Sequence, residues 1–273
     1  MGKSSRDKRD VYYRFAKEGH FRSRSAFKLL QIDEEFDLFT GVSYVVDLCA
    51  VPGGWSQVIL QRLGSKVDDQ SAHIVAVDVQ PMAPLQGVVE IKGDITKKET
   101  AAEIIEQFKG KPAQLVLCDG APDVIGMPDF DEYTQGQLML AALDIAIHVL
   151  APGGTFLTKA FRGKNIGSIL SHFQMFFVDV IITKPRTSRN SSIESFVLCK
   201  EFTRSRIENP DRPITFKACG SEEGYDSDTT YSLELEDREY TYTEPEQVPI
   251  EPPYAHFLSL QQDGKIRNIR LDE

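Results

Sequence analysis

The sequence predicts an open, doubly wound α/β domain on a mostly parallel sheet, with helices on both faces. Two patterns carry that expectation. Between about residues 43 and 200, short β-branched runs alternate with longer stretches of helical period. Those runs are almost wholly apolar, which is how a strand reads when both faces of its sheet are covered.

The elements follow in order. A helix over 23–36 precedes strand 44–48, and a glycine-rich turn leads into helix 55–63. Strands 73–77 and 88–91, helix 97–108 and strand 114–118 continue the alternation. The long helix 133–150 repeats apolar residues at Leu138, Leu140, Ala141, Leu143, Ala146, Ile147 and Leu150, close to a period of 3.6. Pro152-Gly153-Gly154 stops it and opens strand 154–159. Helix 166–173 and strands 176–182 and 195–199 complete seven strands, and no internal repeat is visible.

Composition sets the outer limits. With 273 residues, 41% hydrophobic and 26% charged, the chain has the makings of a buried core. The net charge of −10 excludes a protein that coats nucleic acid with its whole surface, but the charge is unevenly spread. Residues 1–30 hold nine Lys/Arg against three acids, whereas 201–273 hold 17 acids against eight bases. Residues 1–22 therefore read as a basic arm, 23–200 as the main domain, and 201–273 as an acidic, proline-containing appendage suited to a protein partner, its apolar segment 254–260 above all. The longest apolar stretch is broken by Asp144 and His148, so no membrane span is expected, and the N-terminus lacks a signal-peptide core. Cys49, Cys118, Cys199 and Cys219 form no CxxC pair, which points to reduced thiols and a cytoplasmic protein. His20, His73, His148, His172 and His256 have no metal-ligand spacing, so no metal is expected.

Chemistry concentrates at the predicted strand ends. Asp47-Leu48-Cys49-Ala50-Val51-Pro52-Gly53-Gly54-Trp55-Ser56 is an acid at a strand end, then small residues, then a helix. Such a loop lets a ligand approach the backbone and the free N–H groups of a helix start. It is not the GxGxxG that seats a pyrophosphate, which argues against a nicotinamide enzyme and suits a donor without phosphate such as S-adenosylmethionine (SAM). Asp78 sits where a carboxylate takes ribose hydroxyls, Gly93-Asp94 follows the third strand, Asp119 ends the fourth and Lys159 ends the fifth. Lys159 is a candidate for activating a hydroxyl nucleophile if its pKa is lowered. Burial and a second cation would lower it and carboxylates would raise it, a balance the sequence leaves open. Arg6, Lys8, Arg9, Arg14, Arg22 and Arg24, interleaved with aromatic residues, together with Lys184, Arg186 and Arg189, suit phosphates and unpaired bases of RNA.

These residues resemble a known family. The stretch 2–200 looks like the FtsJ/RrmJ-type RNA ribose 2′-O-methyltransferases, a Rossmann-like, SAM-dependent family. The opening Gly-Lys-Ser-Ser-Arg-Asp-Lys-Arg-Asp-Val-Tyr-Tyr-Arg, the run Arg24-Ser25-Ala26-Phe27-Lys28-Leu29, and 184–194 are most similar to its eukaryotic tRNA branch. The resemblance implies a catalytic tetrad of Lys28, Asp119, Lys159 and Glu194, with Lys159 as proton acceptor. It implies SAM contacts at Gly53, Trp55, Asp78, Asp94 and Asp119. It implies methylation of tRNA anticodon-loop nucleotides 32 and 34, with an auxiliary protein subunit selecting between them. Val51 departs from the family's usual alanine, and nothing after Lys200 matches a family motif. The alternatives are the same chemistry on ribosomal RNA and a non-catalytic RNA-binding scaffold.

Overall fold

Strand β1 (Tyr44–Leu48) has Val45, Val46 and Leu48 fully buried although they point to opposite sides, so both faces of its sheet are covered. The computed structural model describes residues 12, 16, 21–69, 71–122, 128–163, 166–189, 192–203 and 215–219, with backbone alone for 65, 128–129 and 215–219. The basic residues before Arg22, as well as segment 254–260, lie outside the described residues.

Helix α1 (Ala26–Phe36) leads into β1, then α2 (Gly54–Asp68), β2 (His73–Asp78), β3 (Val88–Lys92), α3 (Lys98–Gln107) and β4 (Ala113–Cys118). The second half runs α4 (Pro128–Val149), β5 (Leu150–Phe161), α5 (Ile166–Gln174), β6 (Phe177–Pro185), β7 (Glu194–Phe202) and β8 (Thr215–Cys219). All seven expected strands are present. Gly64 breaks the helical geometry of α2 just past the expected end of that helix at residue 63.

The described strands form one sheet in the order β3-β2-β1-β4-β5-β7-β6-β8. Every described pairing is parallel except those of β7, which runs antiparallel to both β5 and β6. The chain builds outward from β1 through β2 to β3, then crosses back to β4, so a switch point lies between β1 and β4. The eighth strand differs from expectation. It comes from the stretch set apart as an appendage and pairs with β6 from Ile181↔Thr215 to Pro185↔Cys219. An edge strand needs no apolar run to pair through its backbone, so Thr-Phe-Lys-Ala-Cys gives little signal.

The pleat sorts the core into two layers. Val45, Leu115, Leu117, Leu157, Phe196 and Leu198 pack under Leu29 and Ile32 of α1 and Val58 and Ile59 of α2. On the other face Val46, Val116, Phe156 and Val197 pack against Ile104 of α3, Ala142 and Ile145 of α4, and Leu170 and Phe173 of α5. Phe156 stacks on Phe173 at 5.8 Å and on Phe177 at 6.2 Å. Among the described residues no helix is long and apolar enough to cross a membrane. Phe156→Ala should lower the unfolding free energy by about 3–5 kcal/mol, read from the urea midpoint at constant m-value.

Candidate active site

In an open α/β sheet, ligands lie outside the carboxyl ends of the strands. Here that rim carries Asp78 at the end of β2, Asp119 directly after β4, Lys159 near the end of β5, and Glu194 at the start of the antiparallel β7. Lys28 is added from above by α1. It lies on the buried side of that helix with Leu29 and Ile32, and is itself only 8% exposed.

Four of these side chains form one continuous network. Lys28 Nζ stands 2.6 Å from Glu194 Oε1 and donates to Oε2 at 2.7 Å. The same carboxylate lies 3.7 Å from Lys159 Nζ. Lys159 Nζ is 2.8 Å from Asp119 Oδ1 and donates to the Asp119 carbonyl at 3.0 Å. Two serines complete the set: Ser188 Oγ donates to Glu194 Oε1 at 2.7 Å, and Ser25 Oγ donates to Asp119 Oδ2. Gln135 of α4 donates to the Lys159 carbonyl at 2.9 Å, so that helix fixes the strand beneath the ammonium.

The charge balance left open by the sequence is decided by position. Burial pushes the Lys159 ammonium down, but the Asp119 and Glu194 carboxylates outweigh it, and the pKa ends above its ordinary value. Glu194 moves the opposite way. Burial raises it, yet Lys28 and Lys159 together hold it below the usual carboxylate range. Glu194 touches both ammonium groups, so a carboxylate neutralises the two lysines where the sequence allowed direct repulsion between them.

At the same rim the C-terminal ends of β2 and β3 frame a cavity of about 170 Å³, lined by Ala50, Asp78, Met82, Ile91 and Lys92 among others. Asp78 accepts from the backbone N–H of Val51 at 2.9 Å and of Gln80 at 2.8 Å, and each oxygen keeps a second lone pair for a ligand hydroxyl. Gly53 has φ +101°, and a Cβ there would lie 2.8 Å from both Arg22 Nη1 and Met82 Sδ. At Gly120 a Cβ would meet Cys49 Sγ and Leu138 Cδ2, each at 2.9 Å. The cavity therefore joins an apolar wall to a carboxylate with spare acceptor capacity, while both glycines sit against side chains that leave no room for a Cβ.

A protein-family model described as FtsJ-like methyltransferase matches residues 21–202, from the strap before α1 to the end of β7. The chain belongs to the FtsJ-like methyltransferase family. It is 52% identical to the human tRNA (cytidine(32)/guanosine(34)-2′-O)-methyltransferase, over 97% of this chain and 87% of that protein. It is 46% identical to the fission yeast protein of the same name, over 96% and 98%. Among solved structures it is similar to a Plasmodium falciparum protein assigned as a ribosomal RNA methyltransferase, with a TM-score of 0.59 and 25% identity over 67% of this chain and 98% of that one.

Within this FtsJ-like domain several expected residues take other positions. The Trp55 ring is 3% exposed, packs 5.8 Å from Phe196 and donates its N–H to the Ser25 carbonyl at 2.9 Å, so the ring lies in the core. The Asp94 carboxylate accepts from the Thr96 N–H and hydroxyl and caps its own turn, two residues beyond the cavity wall; these bonds hold its pKa down. Arg22 and Arg24, expected at RNA, donate instead to backbone carbonyls, Arg24 to that of Thr187. Arg186 and Arg189 are exposed. Ser25 and Ser188 lie inside two of the runs that carry the family resemblance yet are not among the expected site residues, and Gln135 gives no sequence signal of a site. Among the described residues no group of three or more His, Cys, Asp or Glu is arranged to hold a metal ion.

Asp47, the first strand-end acid, is 1% exposed and accepts from Ser56 Oγ at 2.6 Å. Burial pushes its pKa from 3.8 up to about 7. A carboxyl whose folded pKa is raised holds a proton that the unfolded chain has already lost, so its contribution to stability declines as pH rises from about 4 to about 7. Asp47→Asn should remove that decline, and unfolding free energies measured at pH 4, 5.5 and 7 would show it as a flatter profile.

Proposed function

We propose that this chain transfers a methyl group from SAM to the ribose 2′-hydroxyl of tRNA anticodon-loop nucleotides 32 and 34. One observation carries the reading: Lys28, Glu194, Lys159 and Asp119 alternate in sign along one buried network at the sheet rim that also carries the cavity at Asp78. The choice of tRNA is supported by the names and near-complete overlap of the human and fission yeast relatives.

Asp78 would accept the cofactor's ribose hydroxyls, and Gly53 would hold the loop after β1 in the conformation its neighbours Arg22 and Met82 require. Asp94 would meet the adenine edge, while Trp55 would act through the core by holding Ser25. When bound, SAM supplies a methyl group on a sulfonium, open to in-line displacement.

Lys159 Nζ would orient the 2′-oxygen and, as neutral amine, take its proton while the oxygen gains the methyl group. Asp119 and Glu194 favour the ammonium that results. The same carboxylates keep Lys159 charged in the free protein, so Nζ must lose a proton before it can accept one. Lys28 holds Glu194 in place and adds positive charge near the transferred proton.

The acidic balance of 201–273 opposes RNA, and we read it as the region where an auxiliary protein docks. The unpaired Cys49, Cys118 and Cys199 agree with a cytoplasmic location.

Lys159→Ala should lower the single-turnover methylation rate by about 10²–10⁴-fold while S-adenosylhomocysteine still binds. The wild-type rate should rise about tenfold per pH unit below the Lys159 pKa, because only the neutral amine accepts a proton. Mass-spectrometric mapping of ribose methylation on tRNA and ribosomal RNA, with and without candidate partners, reads out the substrate. Methylation confined to ribosomal RNA would overturn the tRNA assignment.

A further inference from the structure

Residues 22–25 form a strap over the glycine loop, and Arg22 fastens it. One terminal nitrogen of its guanidinium donates to the carbonyls of Pro52 at 3.3 Å and Ala83 at 2.6 Å, and the other to that of Pro84 at 3.0 Å. Its own N–H donates to Gln57 Oε1 on α2 at 2.7 Å. Pro52 belongs to the loop after β1. Ala83 and Pro84 belong to the connection between β2 and β3, whose Gln80, Pro81 and Met82 line the cavity beside Asp78. A single planar fork therefore ties two walls of the cavity together, a geometry that guanidinium provides and a lysine ammonium does not.

The rest of the strap presses on the same loop. A Cβ on Gly53 would strike the Arg22 guanidinium, and one on Gly54 would strike Ser23. Ser25 then receives the Trp55 N–H and donates to Asp119, and Lys28 follows one turn into α1. The β2–β3 connection is otherwise exposed, with Val79 at 57%. Ordering an exposed segment on binding weakens affinity, and holding it in advance strengthens it.

We propose that Arg22 is a positioning residue of the cofactor site, which holds the β2–β3 connection against the glycine loop and thereby sets affinity for SAM, and that it is not an RNA-contacting cation. This rests on the methyl-donor reading above. The test uses the full chain with Arg22→Lys, which keeps the charge and loses the fork, and Arg22→Ala. Calorimetry gives the dissociation constant of S-adenosylhomocysteine. Filter binding of a synthetic anticodon stem-loop across a series of KCl concentrations gives RNA affinity and its salt slope. Steady-state kinetics give KM for SAM and kcat.

Both variants should weaken S-adenosylhomocysteine binding and raise KM for SAM by about tenfold or more, with kcat at saturating SAM within about twofold and the RNA salt slope unchanged. Amide exchange should speed up over 79–87 while β1 stays protected. If Arg22→Ala loses protection in β1 as well, the lysine variant alone decides. Unchanged S-adenosylhomocysteine affinity, together with weaker RNA binding and a salt slope reduced by about one, would make Arg22 a phosphate contact and overturn the proposal. Failure of the wild-type chain to bind S-adenosylhomocysteine would overturn the methyl-donor reading itself, and the clamp with it.

Discussion

Lys28, Glu194, Lys159 and Asp119 are side chains 10–17% exposed, and the rest of the site is arranged around keeping their charges in sequence. An isolated buried charge is strongly unfavourable, and an ion pair out of water is tolerated only with good geometry and further hydrogen bonds. The network meets both conditions by alternating sign and by adding Ser25 and Ser188 as donors to its two carboxylates. Removing any one member would leave a neighbour buried with an uncompensated charge. The same two carboxylates raise the Lys159 pKa and so favour its ammonium in the free protein. On the mechanism proposed above, stability of the network and readiness for proton transfer pull in opposite directions.

Strand direction brings the network together. Had β7 run parallel to β5, its first residue would lie at the opposite edge of the sheet. Because it runs antiparallel, Phe161 pairs with Glu194 and Lys159 with Phe196, which carries the carboxylate to the rim where Lys159 ends its strand. Phe196 then serves both layers of the site, with Trp55 packed beside it and Lys28 Nζ 5.7 Å above its ring. The turn between β6 and β7 is tied back to α1, since Thr187 donates twice to Gln31 and receives Arg24 on its carbonyl. Helix, hairpin and strand lock one another, so Lys28 and Glu194 meet although 166 residues separate them.

The cavity side of the rim uses backbone more than side chains. Gly53 and Gly120 let neighbouring side chains pack tightly on their loops, and Asp78 is held by two backbone N–H groups. Asp47, which reads in sequence as another member of the acidic rim, instead binds β1 to α2 through Ser56 and stays out of the site. Two aspartates at equivalent strand ends thus differ in role because one is sealed under a helix and the other borders a cavity.

Much of this was written in the chain itself. Apolar runs of strand length separated by helical periods point to a sheet covered on both faces, and the break at Gly64 is legible because glycine is a poor helix former. The motif residues at strand ends marked the rim. Tertiary structure alone decided that the fifth strand's partner would be antiparallel and that β8 would extend the sheet from a stretch with no apolar pattern. It alone turned the Trp55 ring inward and set Arg22 on the carbonyls of two loops. The physical reason is common to these cases: burial patterns are local and periodic, whereas the partner of a hydrogen-bonding or charged group is fixed by which distant backbone folds within 3 Å of it.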